Sequence, residues 1–392
     1  MPSPTLVIAD YPIGYASGFG ETLYNLFCGF PREMLFAAHP GHLPAARGKE
    51  SGQSIHLTSP LRPGWLPAKL SHAYYPMLKA RQWIASLHTV RMLAEVVRTH
   101  AIKNLLAIPV SPWILSAALA LHRQYAGLNL VFFVMDDWQG HHESYGLPYT
   151  RRRRNLLSEA VQRSSARFAV SREMAEYYEE VFGKSWKVAH NGVWLDSLSK
   201  PPSAGEKPRR VLLAGDVNIF RFDAVIAFAK SLERYNHRWA GSLELTVLGD
   251  VAWDCRAPLA SLAAVKLLGR TTHAECLQAM RAADLLYLPL AFGERCARIS
   301  RYSLPTKLPE YLATGKAVLF HAPRESAVFQ IAERHDLRPR IATTDARELD
   351  SFVEAWASVA PEVQASSENR KNALIQEFDL NQLSTCFQAA FA

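Results

Sequence analysis

Runs that are apolar at successive positions recur along this chain, each followed by a helix-like segment, and the series is interrupted once. TLVIAD (5–10), IKNLLAIPV (102–110), NLVFFVMDD (129–137) and RFAVS (167–171) are such runs. A strand without polar alternation must be covered on both faces, which is the habit of parallel sheets. The segments between them carry helix-end signals. PWILSAALALHRQYAG has Pro112 at its start and Gly127 after its end. Ser171 caps REMAEYYEEVF and Gly183 ends it. Strands alternating with helices predict a parallel sheet with helices on both sides.

The interruption is SLSKPPSAGEKPRR (197–210), rich in Pro, Ser and Lys and poor in apolar residues. Beyond it the pattern restarts with RRVLLAGDV, FDAVIAFAKSLERY, SLELTVLGD and VKLLG. TTHAECLQAMRAA then opens with Thr272 and has Glu275 three residues on, a capping box. DLLYLPL and AVLFHAP follow as buried strands. At 392 residues the chain exceeds what one core supports. The expected architecture is α/β, with two doubly wound Rossmann-like domains facing across a cleft. Residues 1–196 form the first domain, 197–208 a linker and 209–368 the second. Residues 369–392 read as helix without a strand to pair with, expected to pack back on the first domain. Ligands of open α/β sheets bind outside the carboxyl ends of the strands, so the chemistry is expected there.

Several classes are disfavoured by the totals. MPSPTLVIADYPIG runs straight into a strand, without a secretory signal pattern, and no apolar run is long enough for a bilayer. The five cysteines are scattered with no CxxC, which suits reduced thiols in a cytoplasm. The net charge of +8 fits an anionic lipid, a nucleic acid or a phosphorylated ligand. Between residues 62 and 103 seven Lys/Arg face one Glu, interleaved with Trp65, Tyr74, Tyr75 and Trp83, and Arg151–Arg154 follow as RRRR. Cations with aromatic neighbours suit an anionic membrane surface. The alternative is a solvated basic face over core aromatics.

SLPTKLPEYLATGKAVLFHAP (303–323) is the densest candidate site. Thr306 is placed to cap a short helix and Pro309 to fall in its first turn, where a missing N–H costs little. Lys307 adds a charge to the positive end of the helix, a setting that favours phosphate. Glu310 would be repelled by phosphate but can accept from two sugar hydroxyls. Phosphate beside ribose indicates a nucleotide. The alternative is an exposed Lys–Glu pair at i,i+3, worth about 0.2–0.5 kcal/mol.

Four segments of residues 165–325 follow a known order. VAHNGVWLD resembles an N-G-V-D turn, LTVLGD an i-v-G-x-G strand end, VKLLGRTTHAECLQAMRAADLLYLPL a strand–glycine–helix–strand unit, and PTKLPEYLATGKAVLF a K-x-x-E-Y-x-A-x-G-K-P-V stretch. Together they resemble the retaining glycosyltransferases of GT-B fold, the family-4-like group. The resemblance implies a nucleotide-diphosphate sugar as donor, metal-independent transfer with no cofactor, and retention at the anomeric carbon. It implies donor contacts at Gly18, Gly20, Arg221, Arg270, Thr306, Lys307, Leu308 and Glu310, and catalytic carboxylates at Asp136, Asp137 and Glu294. The chain departs from the pattern at two places. Glu294 stands sixteen positions before Glu310 rather than eight. In GDVNIFRF, Asp216 occupies the position of a phosphate-binding Arg, Arg221 that of a Lys, and Phe222 that of a glycine. Arg295, Arg298 and Arg301 in the loop GERCARISRYS are expected to supply the missing positive charge, or to form a solvated face.

In the first half, Gly14, Gly18 and Gly20 follow the first strand, and GYASGFGETL does not complete a G-x-G-x-x-G dinucleotide fingerprint. Asp136 and Asp137 end the strand LVFFVM, one suited to sugar or acceptor hydroxyls and one to capping the next helix. DDWQGHHE also offers His141, His142 and Glu143, without a recognisable metal-ligand spacing. The expected activity is hexosyl transfer to a glycan or lipid-linked acceptor at the inner face of the membrane, with no nucleic-acid partner. The alternatives are a nucleotide-sugar epimerase of the same fold and a non-catalytic glycan-binding partner.

Overall fold

The apolar runs of the first half pair side by side in the computed structural model, which describes residues 2–15, 17–40, 52–57, 75–197, 210–358 and 367–392. Seven strands form one parallel sheet: β1 (Thr5–Ala9), β2 (Leu35–Pro40), β3 (Gln53–Leu57), β4 (Asn104–Ile108), β5 (Asn129–Val134), β6 (Ala166–Ala169) and β7 (Lys187–Val188). Their order is β3-β2-β1-β4-β5-β6-β7, so the winding reverses between β1 and β4. α1 (Gly18–Leu26), α2 (Tyr75–Thr99), α3 (Pro112–Gln124), α4 (Trp138–Ser144), α5 (Arg151–Arg163) and α6 (Arg172–Phe182) lie between the strands in sequence. Ser171 caps α6 through its hydroxyl, and Gly183 ends the helix at φ 62°.

A second parallel sheet holds β8 (Arg210–Ala214), β9 (Glu244–Leu248), β10 (Val265–Leu267), β11 (Leu285–Pro289), β12 (Ala317–His321) and β13 (Arg340–Ile341), in the order β10-β9-β8-β11-β12-β13. Its helices are α7 (Phe222–Trp239), α8 (Trp253–Ala260), α9 (His273–Ala282), α10 (Ala297–Tyr302), α11 (Leu308–Ala313), α12 (Ala327–Arg334), α13 (Ala346–Ser358) and α14 (Ser367–Glu377); α15 (Leu380–Gln388) follows them in sequence and lies mostly in the first unit. The Thr272–Glu275 capping box forms at α9. Here the winding reverses between β8 and β11, which makes the loops after those two strands the edges of a ligand crevice.

The chain divides into two units, and neither is continuous in sequence. The first contains Met1–Met135, Tyr149–His190 and Gln382–Ala392. Its core includes Phe27, Phe133, Phe168, Phe387 and Phe391. The Phe387 ring centre lies 5.4 Å from Phe27, 5.7 Å from Phe133 and 4.9 Å from Phe168. The second contains Asp136–Pro148 and Asn191–Asn381. α4 therefore belongs to the second unit although it follows β5 directly. Ser144 Oγ donates to the Arg295 carbonyl at 3.0 Å, and Arg298 grips Asp137. α14 also belongs to the second unit, where Arg370 Nη1 donates to the Gly315 carbonyl at 2.9 Å. Of the expected linker 197–208, residues 198–208 lie outside the described residues, as do residues 62–74 of the basic–aromatic segment.

Candidate functional site

The carboxyl edge of the second sheet carries most of the expected residues. β8 ends at Ala214, and the chain turns at Gly215 with φ 147°, where a Cβ would lie 2.7 Å from Arg221 Nη1. Only glycine fits a backbone of that sign with a guanidinium so close. Arg221 is the N-cap residue of α7, half-buried, and its Nη1 donates to the Asp216 carbonyl at 3.2 Å. Among the described residues this is the one hydrogen bond of a guanidinium with five N–H donors, and no carboxylate pairs with it. Burial pulls its pKa below the ordinary value, with Tyr311 and Asp216 acting in the opposite sense.

Arg270 is engaged differently. It is exposed and donates to Asp250 at 2.6 Å and to Asp216 at 2.9 Å. Asp216, at the position of the expected phosphate-binding Arg, thus draws the Arg270 guanidinium onto carboxylates. Exposed pairs of this kind are worth about 0.2–1 kcal/mol, so a phosphate can compete for the guanidinium.

α11 supplies the next group. Its N-cap is Lys307, with no side-chain cap, which corrects the expectation that Thr306 caps it. Thr306 instead offers its carbonyl to Asn191 Nδ2 at 2.8 Å, tying the NGV turn to the start of this helix. Leu308, also an expected donor contact, opens the helix. It is fully buried, and its amide donates to the Pro305 carbonyl at 3.0 Å. With Pro309 lacking an N–H, α11 opens with few amides to offer a phosphate. Charge at this point comes from Lys307, whose Nζ donates to Glu310 at 2.8 and 3.1 Å. The Lys307 side chain is 27% exposed and that of Glu310 11%, so this pair is more sheltered than a surface pair. Tyr311 locks the helix onto β8, its hydroxyl accepting from Ala214 N at 2.6 Å. Its phenol, raised in pKa chiefly by burial, also feels Arg221 and Glu310, which places all three in one neighbourhood.

The loop after β11 is pinned by a residue the sequence reading missed. Asp223, in the first turn of α7, accepts from Phe292 N at 2.8 Å and Gly293 N at 2.7 Å through one oxygen, and from Ala224 N at 2.8 Å through the other. Beneath it, His321 Nε2 donates to the Thr343 carbonyl at 2.7 Å, and the Tyr287 hydroxyl lies 2.7 Å from His321 Nδ1. Burial lowers the His321 pKa to about 4, so the ring is neutral and Nδ1 accepts from Tyr287. The available signal was a polar residue inside each of two apolar strands, DLLYLPL and AVLFHAP.

The three expected catalytic carboxylates have unlike settings. Glu294 is exposed in a 3-10 turn (Glu294–Cys296), and its carboxylate makes no hydrogen bond or ion pair among the described residues. Asp137 is 1% exposed; it caps α4 by accepting from Gly140 N at 2.7 Å and receives Arg298 at 2.6 and 3.1 Å. Both its oxygens are occupied, which suits positioning rather than contact with reacting atoms. Arg298 is thereby committed to Asp137, while Arg295 and Arg301 stand exposed. Asp136 is half-buried and makes no hydrogen bond or ion pair among the described residues. Burial, with the Asp137 charge beside it, raises its pKa to about 6.

Gly18 and Gly20 lie in the first unit, inside the first turn of α1 rather than in the loop before it, because Ser17 caps that helix. A Cβ on Gly20 would meet the Tyr15 backbone at 2.4 Å, so packing of the loop against the helix already accounts for this glycine. Among the described residues no group of three or more His, Cys, Asp or Glu is arranged to hold a metal ion. His142 Nδ1 donates to the Trp138 carbonyl within α4 at 2.6 Å.

Solved structures superpose on this chain over nearly its whole length. The trehalose-6-phosphate synthase OtsA superposes with a TM-score of 0.69 at 11% identity, covering 99% of this chain and 98% of that one. The fold is GT-B. An E. coli trehalose-6-phosphate structure bound with UDP-2-fluoro glucose gives 0.66 at 12% identity over 99% and 98%. The lipopolysaccharide outer core galactosyltransferase WaaB gives 0.62 at 13% over 98% and 98%. At these identities the likeness is one of fold. No protein-family model matches the chain, and no curated protein matches it by sequence.

Proposed function

We propose that this GT-B chain moves a hexosyl group from a nucleotide-diphosphate sugar to a hydroxyl of a glycan or lipid-linked acceptor, with retention and without a metal. The observation that carries this reading is Arg221: a half-buried guanidinium bonded to one carbonyl, at the strand end where the winding of the second sheet reverses. A desolvated cation with unused donors is the natural seat of a diphosphate. Lys307 is the second cation of the neighbourhood. Glu310, released from Lys307 as phosphate replaces it, accepts from two ribose hydroxyls. Arg270 and the backbone of Thr306 border the same region. As the anomeric bond loosens, charge builds on the departing diphosphate, and fixed cations stabilise it without reorganising. The acceptor oxygen then attacks the face that the diphosphate leaves, and its proton passes to an oxygen of the departing diphosphate.

Two fold neighbours fit this reading: one is named a galactosyltransferase and another is bound with UDP-2-fluoro glucose. A membrane-borne acceptor would suit the basic stretch, of which Arg151, Arg152 and Arg154 stand exposed in the first turn of α5. No helix among the described residues is long and apolar enough to cross a membrane.

Incubation with a panel of nucleotide sugars and acceptors should release a nucleoside diphosphate. Arg221→Ala, Lys307→Ala and Glu310→Ala should each lower turnover by about 10²-fold or more, the scale of losing one electrostatic stabiliser. Wild-type turnover in these variants with a working substrate pair would sink the assignment.

A further inference from the structure

Three aromatic rings gather beside Arg221. His141 and Tyr145 are one turn apart at the end of α4, and Phe220 immediately precedes Arg221. The ring centres lie 5.1 Å apart for His141–Tyr145, 5.9 Å for His141–Phe220 and 5.7 Å for Tyr145–Phe220. Tyr145 and Phe220 meet edge to face at 86°, making a corner, and Tyr145 is 50% exposed. The Tyr145 hydroxyl makes no hydrogen bond among the described residues. The corner is fixed from below by Cys296, whose thiol donates to the Ile219 carbonyl at 3.4 Å.

Burial raises the Tyr145 phenol pKa, with Cys296, Asp254 and Asp136 adding to it. Asp136 is half-buried and without a partner among the described residues. Asp254 is exposed, and the 89% exposed Trp253 precedes it in α8.

We propose that the Tyr145–Phe220 corner, beside Arg221, is a subsite for a pyranose ring. A pyranose has an apolar C–H face and a rim of hydroxyls that donate and accept. It therefore needs a flat apolar wall and polar groups with unused bonding capacity; the rings present the first, and the Tyr145 hydroxyl and the Arg221 guanidinium the second. A free anion is disfavoured by the negative faces of the rings, and a cation by Arg221 on the residue next to Phe220. An alkyl chain would leave the Tyr145 hydroxyl desolvated and unpaired. The ring's role in catalysis rests on the glycosyl-transfer reading; its binding does not. Adjacency to Arg221 is compatible with the hexose of a sugar nucleotide or with that of a separate glycoside.

Saturation-transfer difference NMR on the full chain separates these sources. One set of tubes holds the methyl α-glycosides of glucose, galactose and mannose. A second holds UDP-glucose, UDP-galactose and GDP-mannose, and a third UDP and GDP alone. Ring C–H protons of at least one hexose should receive saturation from the wild type. Affinity should fall about tenfold in Tyr145→Ala, Tyr145→Leu and Phe220→Ala and be largely kept in Tyr145→Phe, with melting temperatures unchanged. Loss confined to the methyl glycosides assigns the subsite to an acceptor. Loss confined to hexose protons of the sugar nucleotides, with UDP or GDP still bound, assigns it to the donor. If glycosides bind through Tyr145 while no nucleotide binds, the subsite stands and the transfer reading fails. Equal saturation in wild type and the Ala and Leu variants, or no hexose saturation in any wild-type tube, overturns the proposal.

Discussion

Arg298 holds both carboxylate oxygens of Asp137, 161 positions earlier in the chain, with Nε at 2.6 Å and Nη2 at 3.1 Å. The carboxylate is 1% exposed and also caps α4. A buried charge that loses its partner is costly to leave, typically by about 3–5 kcal/mol. Arg298→Ala should therefore destabilise the second unit by an amount in that range, measured by urea unfolding. Asp137→Asn with Arg298→Met should cost less than Arg298→Ala alone. A loss below about 1 kcal/mol for Arg298→Ala would mean that α4 is held by its packing alone.

Asp136 should behave in the opposite way. Its folded pKa of about 6 lies above the ordinary carboxylate value of 3.8. The folded state binds more protons between these values, so ionisation makes stability fall as pH rises through that window. At pH 7 Asp136→Asn should gain roughly 1–3 kcal/mol while lowering glycosyl transfer. Unfolding curves of both proteins at pH 4 and pH 7 check this; the gain should shrink at the lower pH. An equal gain at both would detach the effect from ionisation.

His321 gives a second window of the same physics. Its folded pKa of about 4 lies below the ordinary 6.5, so the unfolded chain takes up the proton first. The stability that neutral His321 contributes is present above pH 6.5 and is lost as pH falls towards 4. The full loss is on the order of 3 kcal/mol. His321→Gln should flatten this part of the stability–pH profile of the second unit, read by circular dichroism at fixed urea. An unchanged slope would remove His321 as its source.

Gly20→Ala tests a packing explanation against a ligand one. A methyl there would press on the Tyr15 backbone at 2.4 Å, and overpacking of this kind costs about 1–3 kcal/mol. The melting temperature should fall with or without a sugar nucleotide present. A variant of wild-type stability that binds the nucleotide more weakly would return this glycine to the site.

The alternation of doubly apolar strands with capped helices was enough to predict both sheets, because burial on two faces leaves its mark on every residue of a strand. Ser171 and Thr272 were readable for a similar reason: a cap and its target lie within a turn of each other. The Lys307–Glu310 pair was visible as an i,i+3 spacing, whereas the N-cap fell one residue later than Thr306. The Asp137–Arg298 clasp had no local signature, since a partner far away in sequence changes no periodicity. Arg221 could be placed by motif order, but its nearly empty set of hydrogen bonds depends on where Asp216, Asp250 and Arg270 settle. Asp223 went unnoticed because an acidic residue in a first helical turn is ordinary. Its role comes from two amides of a loop about seventy positions on.

The discontinuity of both units bears on how a ribosome can deliver this protein. α4 leaves the tunnel early, yet Arg298 emerges 161 residues after Asp137, an interval of roughly 10–30 s at ordinary elongation rates. The first unit waits longer still, because Phe387 and Phe391 fill the space between Phe27, Phe133 and Phe168. The first unit therefore cannot close its core in order of synthesis, whereas the core of the second lies between Val211 and Ala357. An apolar seam of the first sheet stays open to chaperones until residues beyond Gln382 have been made, so the unit begun first should be the last to finish.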